Sequence, residues 1–314
     1  MILNLIMFGK KIKIFILVSY IIFIILIQIF SILKPKEDIK ICLCTPVKKE
    51  NRYLNEFIDH YKSYNVDKIF LYDNNDVSGE YLEEVIYNYV QSGFVNIKNF
   101  RGKKKVLYEM MNDCYKTNYL KYDWLIFYEV DEFIYLKNYT DIKKFLNEDK
   151  FNHCQTIQLN WVMHTDNENI CYENKSLKIR FPDSNKSLKV TGIKSILRGK
   201  IPYIIINCVH KLNKNLKTCN GFGERTHVKG GTDKLDNNYY YIDHYFCKST
   251  EEFLNKINKG DVLFNQDNIL DRIKVYLSIN KVTKEKIDFM KKYLHTNISF
   301  QELLPYKNFD NLMI

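Results

Sequence analysis

The sequence predicts an α/β fold, a sheet flanked by helices, preceded by one N-terminal membrane-spanning helix. Three observations carry this reading. Short apolar runs alternate with amphipathic segments from residue 39 onward, β-rich stretches replace that alternation from Thr156, and residues 14–33 are uncharged and almost wholly apolar. Strands separated by helices give βαβ units, which build a parallel sheet covered on both faces.

The elements follow in chain order. Residues 14–33 read IFILVSYIIFIILIQIFSIL, and twenty helical residues at about 1.5 Å each span a hydrocarbon core of about 30 Å. No small-residue cleavage site follows, which separates this run from a secretory signal. The expected organisation is a tail over 1–13, a signal anchor in the lipid bilayer over 14–33, a stem over 34–37, a globular domain over 38–300 and a tail over 301–314. Lysines flank the span on both sides, so they do not set its orientation. A short tail before a large domain points to a cytoplasmic N-terminus and a lumenal or external domain. All eight cysteines lie beyond the span.

Residues 39–45 form a compact apolar run, in which Cys42 and Cys44 read as small buried hydrophobes. Tyr53, Leu54, Phe57, Ile58 and Tyr61 recur at helical spacing within 50–64. A strand over 68–72 ends on Asp73-Asn74-Asn75-Asp76, a turn signal. A helix over 80–90, a strand over 94–97 and a helix over 106–118 lead to a strand over 124–128, which runs into Glu129-Val130-Asp131-Glu132. Strands are then expected over 156–163, 188–197, 202–209 and 239–246, and helices over 250–258, 268–277 and 283–293. The domain divides into a ligand-binding half, 38–135, and a second half, 136–300.

Eleven glycines and five prolines exclude collagen-like and linker-rich classes, and a mean hydropathy of −0.32 excludes a polytopic membrane protein. The net charge of +10 is less informative than it looks. Of 47 basic residues six are Arg, and the chain has no Ala, so the excess reflects a Lys-rich composition. No nucleic-acid-binding module accompanies it, and no nucleic-acid partner is expected.

Neither G-x-G-x-x-G nor a P-loop follows the first strand, which removes a dinucleotide site and a P-loop fold. Acids stand at the strand ends instead: Asp73 after the second, and Glu129-x-Asp131-Glu132 after the fourth. Ligands of open α/β sheets bind at the carboxyl ends of strands. Two carboxylates at i and i+2 there can share one hard divalent cation, Mn²⁺ or Mg²⁺, and bridge it to a diphosphate.

Four blocks carry a resemblance: VKKENRYLNEFIDHY (47–61), KIFLYDNN (68–75), YDWLIFYEVDEFI (122–134) and HYFCKSTEEFLNKINKGD (244–261), with shorter echoes at NDC (112–114), Trp161, KSI (194–196) and VHK (209–211). In this order they resemble glycosyltransferase family 92 and the related glycosyltransferase-2-like enzymes. The resemblance implies a GT-A fold, which is a Rossmann-like mixed sheet, together with a nucleotide-sugar donor, a metal-assisted sugar transfer and a glycan or glycoconjugate acceptor. By position it implies donor-binding roles for Lys48, Glu50, Asp73, Glu129 and Lys248, and metal-binding roles for Asp131, Glu129 and His244. Glu129 stands where the family has Asp, which adds a methylene to the first acid and leaves open a catalytically silent binding protein on the same fold. Inversion needs a carboxylate base at the acceptor hydroxyl, and Asp166 and Glu224 are the two candidates. Among the basic residues near these blocks, Lys194, Arg198, Lys248, Lys256 and Lys259, the pattern selects Lys248. His60 reads as structural, His210 as either core or site, and Trp161 as either a sugar platform or core.

Overall fold

The computed structural model describes residues 19–24, 38–184, 192–208, 210, 215–226, 238–258 and 269–294. The chain divides into two compact units, 1–38 and 39–314. In the first, residues 19–24 are helical, and the rest of the expected anchor lies outside the described residues. Among the described residues no helix is long and apolar enough to cross a membrane.

The second unit is built on one mixed sheet. Its strands are β1 (Ile41–Val47), β2 (Lys68–Asp73), β3 (Val95–Asn99), β4 (Trp124–Phe127), β5 (Glu132–Leu136), β6 (Thr156–Met163), β7 (Ile193–Arg198), β8 (Thr218–Cys219) and β9 (Tyr240–His244). The order across the sheet is β3-β2-β1-β4-β7-β6-β9-β5, with β8 beside the start of β6. The β3, β2, β1 and β4 strands are parallel, while β7 and β5 run against their neighbours. Because β6 and β9 point the same way as β4, the ends of β1, β2, β4, β6 and β9 share one edge, and the beginnings of β5 and β7 join them there.

Alternation along the strands sorts side chains onto two faces. Ile41, Leu43, Ile69, Leu71, Trp124 and Ile126 enter one core cluster with Leu54, Phe57, Ile58 and Tyr61 of α1 (Asn51–Ser63). Cys42, Cys44, Phe70, Tyr72, Leu125 and Phe127 enter the other, with Met110, Met111 and Cys114 of α3 (Leu107–Asn118). The intervening α2 (Glu83–Gln91) adds Ile86 to the first face. Two short helices, α4 (Ile142–Leu146) and α5 (Leu177–Arg180), lie in the second half. A third cluster joins α6 (Thr250–Asn258), α7 (Ile269–Ile279) and α8 (Lys284–Leu294) through Phe253, Ile273, Tyr276 and Met290.

Several expectations need correction. Cys44 is not a free apolar filler, because it forms a disulfide with Cys114 that ties β1 to α3, and a second bridge joins Cys154 to Cys219. The strand expected over 202–209 is absent among the described residues of that stretch. Ile204 and Ile206 are buried and Ile205 exposed, so the alternation is real. The backbone of Ile206, however, bonds in both directions to the side chain of Asn112 on α3 rather than to a neighbouring strand. The strand expected from 188 begins at Ile193, with 185–191 outside the described residues.

Candidate active site

The shared sheet edge gathers most of the acids and bases singled out by the sequence. After β1 the chain turns at Lys49, whose φ is +55° and whose N–H donates to Asn75 Oδ1 at 2.6 Å. Lys48 is half-buried at the head of this turn, and Glu50 is buried just before α1. Glu50 Oε2 lies 3.2 Å from Lys248 Nζ, which also sits 3.8 Å from the centre of the Tyr53 ring. After β2, Asp73 is buried. One of its oxygens accepts from the backbone and side chain of Asn75, and the other pairs with Arg101 at 2.7 Å. Arg101 also donates to the carbonyls of Asp76, Gly79 and Glu80, so Asp73 shapes this loop through Arg101.

After β4 come the three acids. Glu129 pairs with Lys194 at 2.6 Å and remains 39% exposed. Burial would raise its carboxyl, but the adjacent Lys194 outweighs this and holds it down, to about 2. Asp131 is buried, and its backbone carbonyl accepts from Tyr245 N. One of its oxygens is 2.6 Å from Lys256 Nζ, and the other is 3.7 Å from His244 Nε2. Burial would raise this carboxyl too, yet Lys256, His244 and Lys248 hold it well below the carboxylate range. Glu132 starts β5 fully buried and caps the Glu129 N–H at 2.8 Å. Burial, with Glu129 and Asp131 beside it, pushes its carboxyl up to about 8 against the pull of Lys194, which is 3.3 Å away. Lys194 itself is buried, and Glu129 and Glu132 raise its pKa against that burial.

His244 ends β9, opposite Glu132. Burial lowers its pKa to about 3, so the ring is neutral near pH 7, and its Nδ1 is buried without a hydrogen-bond partner. The Trp161 ring lies 4.3 Å from the imidazole, and a Cβ at Gly192 would overlap that indole, which explains glycine there. His210 also packs edge-on to Trp161, its Nδ1 2.7 Å from the Ile193 carbonyl, so it helps to position the indole.

A cleft of about 360 Å³ opens beside these residues, lined among others by Glu50, Arg52, Tyr53, Lys248 and Lys256. Its α6 wall is clamped by Glu252, which pairs with Arg180 at 2.7 Å and accepts from Tyr53 OH.

The sequence of this site has a counterpart among known families: the model of glycosyltransferase family 92 matches residues 37–273. The chain belongs to that family. No curated protein sequence matches it. Among solved structures, S. aureus TarS 1–349 in complex with UDP-GlcNAc is similar over 81% of this chain and 79% of that one, at 12% identity and a TM-score of 0.39. The same protein in complex with UDP gives a TM-score of 0.37 at 12% identity, over 81% and 70% of the two chains.

Within this family-92 domain, the two residues chosen as possible bases are both bonded to other groups. Asp166 follows β6 at the correct edge but is buried in an ion pair with Lys286 at 2.6 Å. Tyr276 OH and the Glu168 N–H take further acceptor sites on it, so it braces α7 and α8. Glu224 is exposed and bonds to Asn220 in the loop after β8, beside Ile157. His244 lies beside Met163, at the opposite end of β6. Six residues at about 3.3 Å each put Glu224 roughly 20 Å along the strand from the acids. Glu129, expected to share the metal, is paired with Lys194. Among the described residues its carboxylate does not converge with Asp131 and His244, because Lys194 holds it. The sole three-ligand cluster found there, His153 with Cys154 and Cys219, contains the disulfide. Arg198, at the far end of β7, stacks on Trp124 and donates to Cys154 and Phe151 carbonyls. Lys259 lies outside the described residues.

The sequence did not select Lys256, Lys194 or Arg101. One signal was available for the first. Lys248, Glu252 and Lys256 recur at intervals of four, which places Glu252 and Lys256 on one face of α6.

Proposed function

We propose that this glycosyltransferase moves a sugar from a nucleoside-diphosphate donor to a hydroxyl of a glycan or glycoconjugate, with inversion, assisted by a divalent cation. The observation that carries the reading is the junction of a cation-lined cleft with the buried Asp131–His244 pair at the carboxyl edge of the sheet. The anomeric carbon–oxygen bond to the diphosphate breaks and the acceptor oxygen forms the new bond. The acceptor proton passes to a base, and the diphosphate leaves carrying the electron pair. Ammonium groups fixed in a site of low dielectric stabilise that departing charge without reorganising. Lys248, held by Glu50 and the Tyr53 ring, and Lys256 are the groups placed for it. Lys48 and the loop braced by Asp73 and Arg101 would form the nucleoside side.

Asp131 and His244 fit a hard cation. A carboxylate and a neutral imidazole whose Nε2 faces it at 3.7 Å are suitable donors. When bound there, the ion would supply positive charge opposite the diphosphate. The test is a hydrolysis and transfer screen of the full chain across nucleotide sugars, with and without Mn²⁺. Turnover of one donor that excess chelator abolishes is expected. Binding of UDP without turnover of any donor would instead mark a silent protein on this fold.

We also propose that residues 14–33 anchor the chain, with the domain on the lumenal or external side. Hydropathy supports the anchor, and the two disulfides are in keeping with an oxidising compartment. The full chain should stay with membranes through alkaline carbonate, and deletion of 14–33 should release it. Release of the intact chain would refute the anchor.

A further inference from the structure

We infer that the ammonium of Lys256 is the resident counter-ion of Asp131, and that a divalent cation reaches Asp131 only when Lys256 turns away to the diphosphate of an incoming donor. The inference rests on the functional reading above and goes beyond it by assigning a movable cation to the site. Asp131 is buried, and an unpaired buried carboxylate is costly. Its two oxygens are already differentiated: one meets Lys256 Nζ at 2.6 Å, the other faces His244 Nε2 at 3.7 Å. An ion held between Asp131 and His244 would lie within a few ångströms of that ammonium, and two cations so close repel strongly in a site of low dielectric.

The two lysines of the acid cluster differ in a way that assigns them different tasks. Lys194 is 1% exposed and bracketed by Glu129 and Glu132, so it is a fixed charge. Lys256 is 19% exposed, pairs with Asp131 as its one carboxylate partner within 4 Å among the described residues, and lines the cleft. Its four-carbon stem springs from the last turn of α6, so its head can swing from Asp131 into the cleft without the helix moving. The Phe246 ring, 4.7 Å from Nζ, gives the ammonium a second favourable contact. Metal and donor would therefore bind with positive linkage, since the diphosphate draws off the ammonium that excludes the ion.

The test measures Mn²⁺ binding by calorimetry and by quenching of Trp161, which lies beside His244, in the full chain with MnCl₂ alone and with MnCl₂ plus UDP. Lys256→Met is expected to bind MnCl₂ alone at least tenfold more tightly than the unaltered chain, and to lose most of the enhancement that UDP confers. Should the methionine variant not fold, Lys256→Gln reads the same quantity while keeping a donor for Asp131. Equal Mn²⁺ affinity in variant and parent overturns the inference and leaves the metal-assisted reading standing. Absence of Mn²⁺ binding in both, with UDP still raising the melting temperature, overturns the inference and the metal assignment together. It leaves the transferase reading to the donor screen.

Discussion

Asp131→Asn is expected to fold and to lose sugar transfer by at least about a thousandfold, which corresponds to about 4 kcal/mol of lost transition-state stabilisation. The side chain keeps its shape, and Tyr245 N still finds the Asp131 carbonyl, so the loop between β4 and β5 stays in place. What disappears is the charge, which His244 and Lys256 both face. Lys256 is left without its carboxylate, but it borders the cleft and can reach water, so the penalty on stability is smaller than for a sealed pair. Glu129→Gln should cost far less, because Glu129 is bound to Lys194 and 39% exposed. Donor turnover measured beside circular dichroism decides the matter. Full activity of the folded Asp131 variant, or a larger loss at Glu129, would displace Asp131 from the centre of the site.

The contrast between these two acids shows what the sequence could and could not say. The sheet's parallel half was legible because β1, β2 and β4 are buried on both faces and read as unbroken apolar runs. Their carboxyl ends pointed to Asp73 and Asp131, while Glu50 was marked only by the family resemblance. β5 was not legible, because it starts at Glu132, inside the acidic motif, and its pairing partner is β9, over a hundred residues on. The fate of Asp166 depended on Lys286, 120 residues away, and that of Cys44 on Cys114. Such pairings leave no local trace. Lys256 was hidden for a different reason: in a chain with 41 lysines, its four-residue spacing from Glu252 is a weak signal until its partner is known.

Arg180→Met is expected to lower unfolding stability by about 3–5 kcal/mol, the cost of stranding one member of a buried ion pair. Arg180 and Glu252 side chains are each 2% exposed and bonded through both terminal guanidinium nitrogens, so water cannot replace the lost partner. Burial would raise the Glu252 carboxyl, but Arg180, Ser249 and Tyr53 hold it down, to about 2. A carboxyl held below its unfolded value contributes stability that is complete above about pH 4.5 and lost as the pH falls toward 2. The acid limb of the stability profile should therefore flatten in the Arg180 variant. Replacing both partners, Arg180→Met with Glu252→Leu, should recover part of the loss, because no charge is then left buried. The consequence for the site follows from spacing: Lys248 and Lys256 lie four residues to either side of Glu252. A loosened Glu252 frees the α6 wall of the cleft, so donor affinity should fall in both variants even where stability is recovered. Denaturant titrations at pH 7 and pH 3, read beside UDP binding, separate the two effects. A double variant with recovered stability and undiminished UDP affinity would show that the pair holds the fold alone and does not position the lysines.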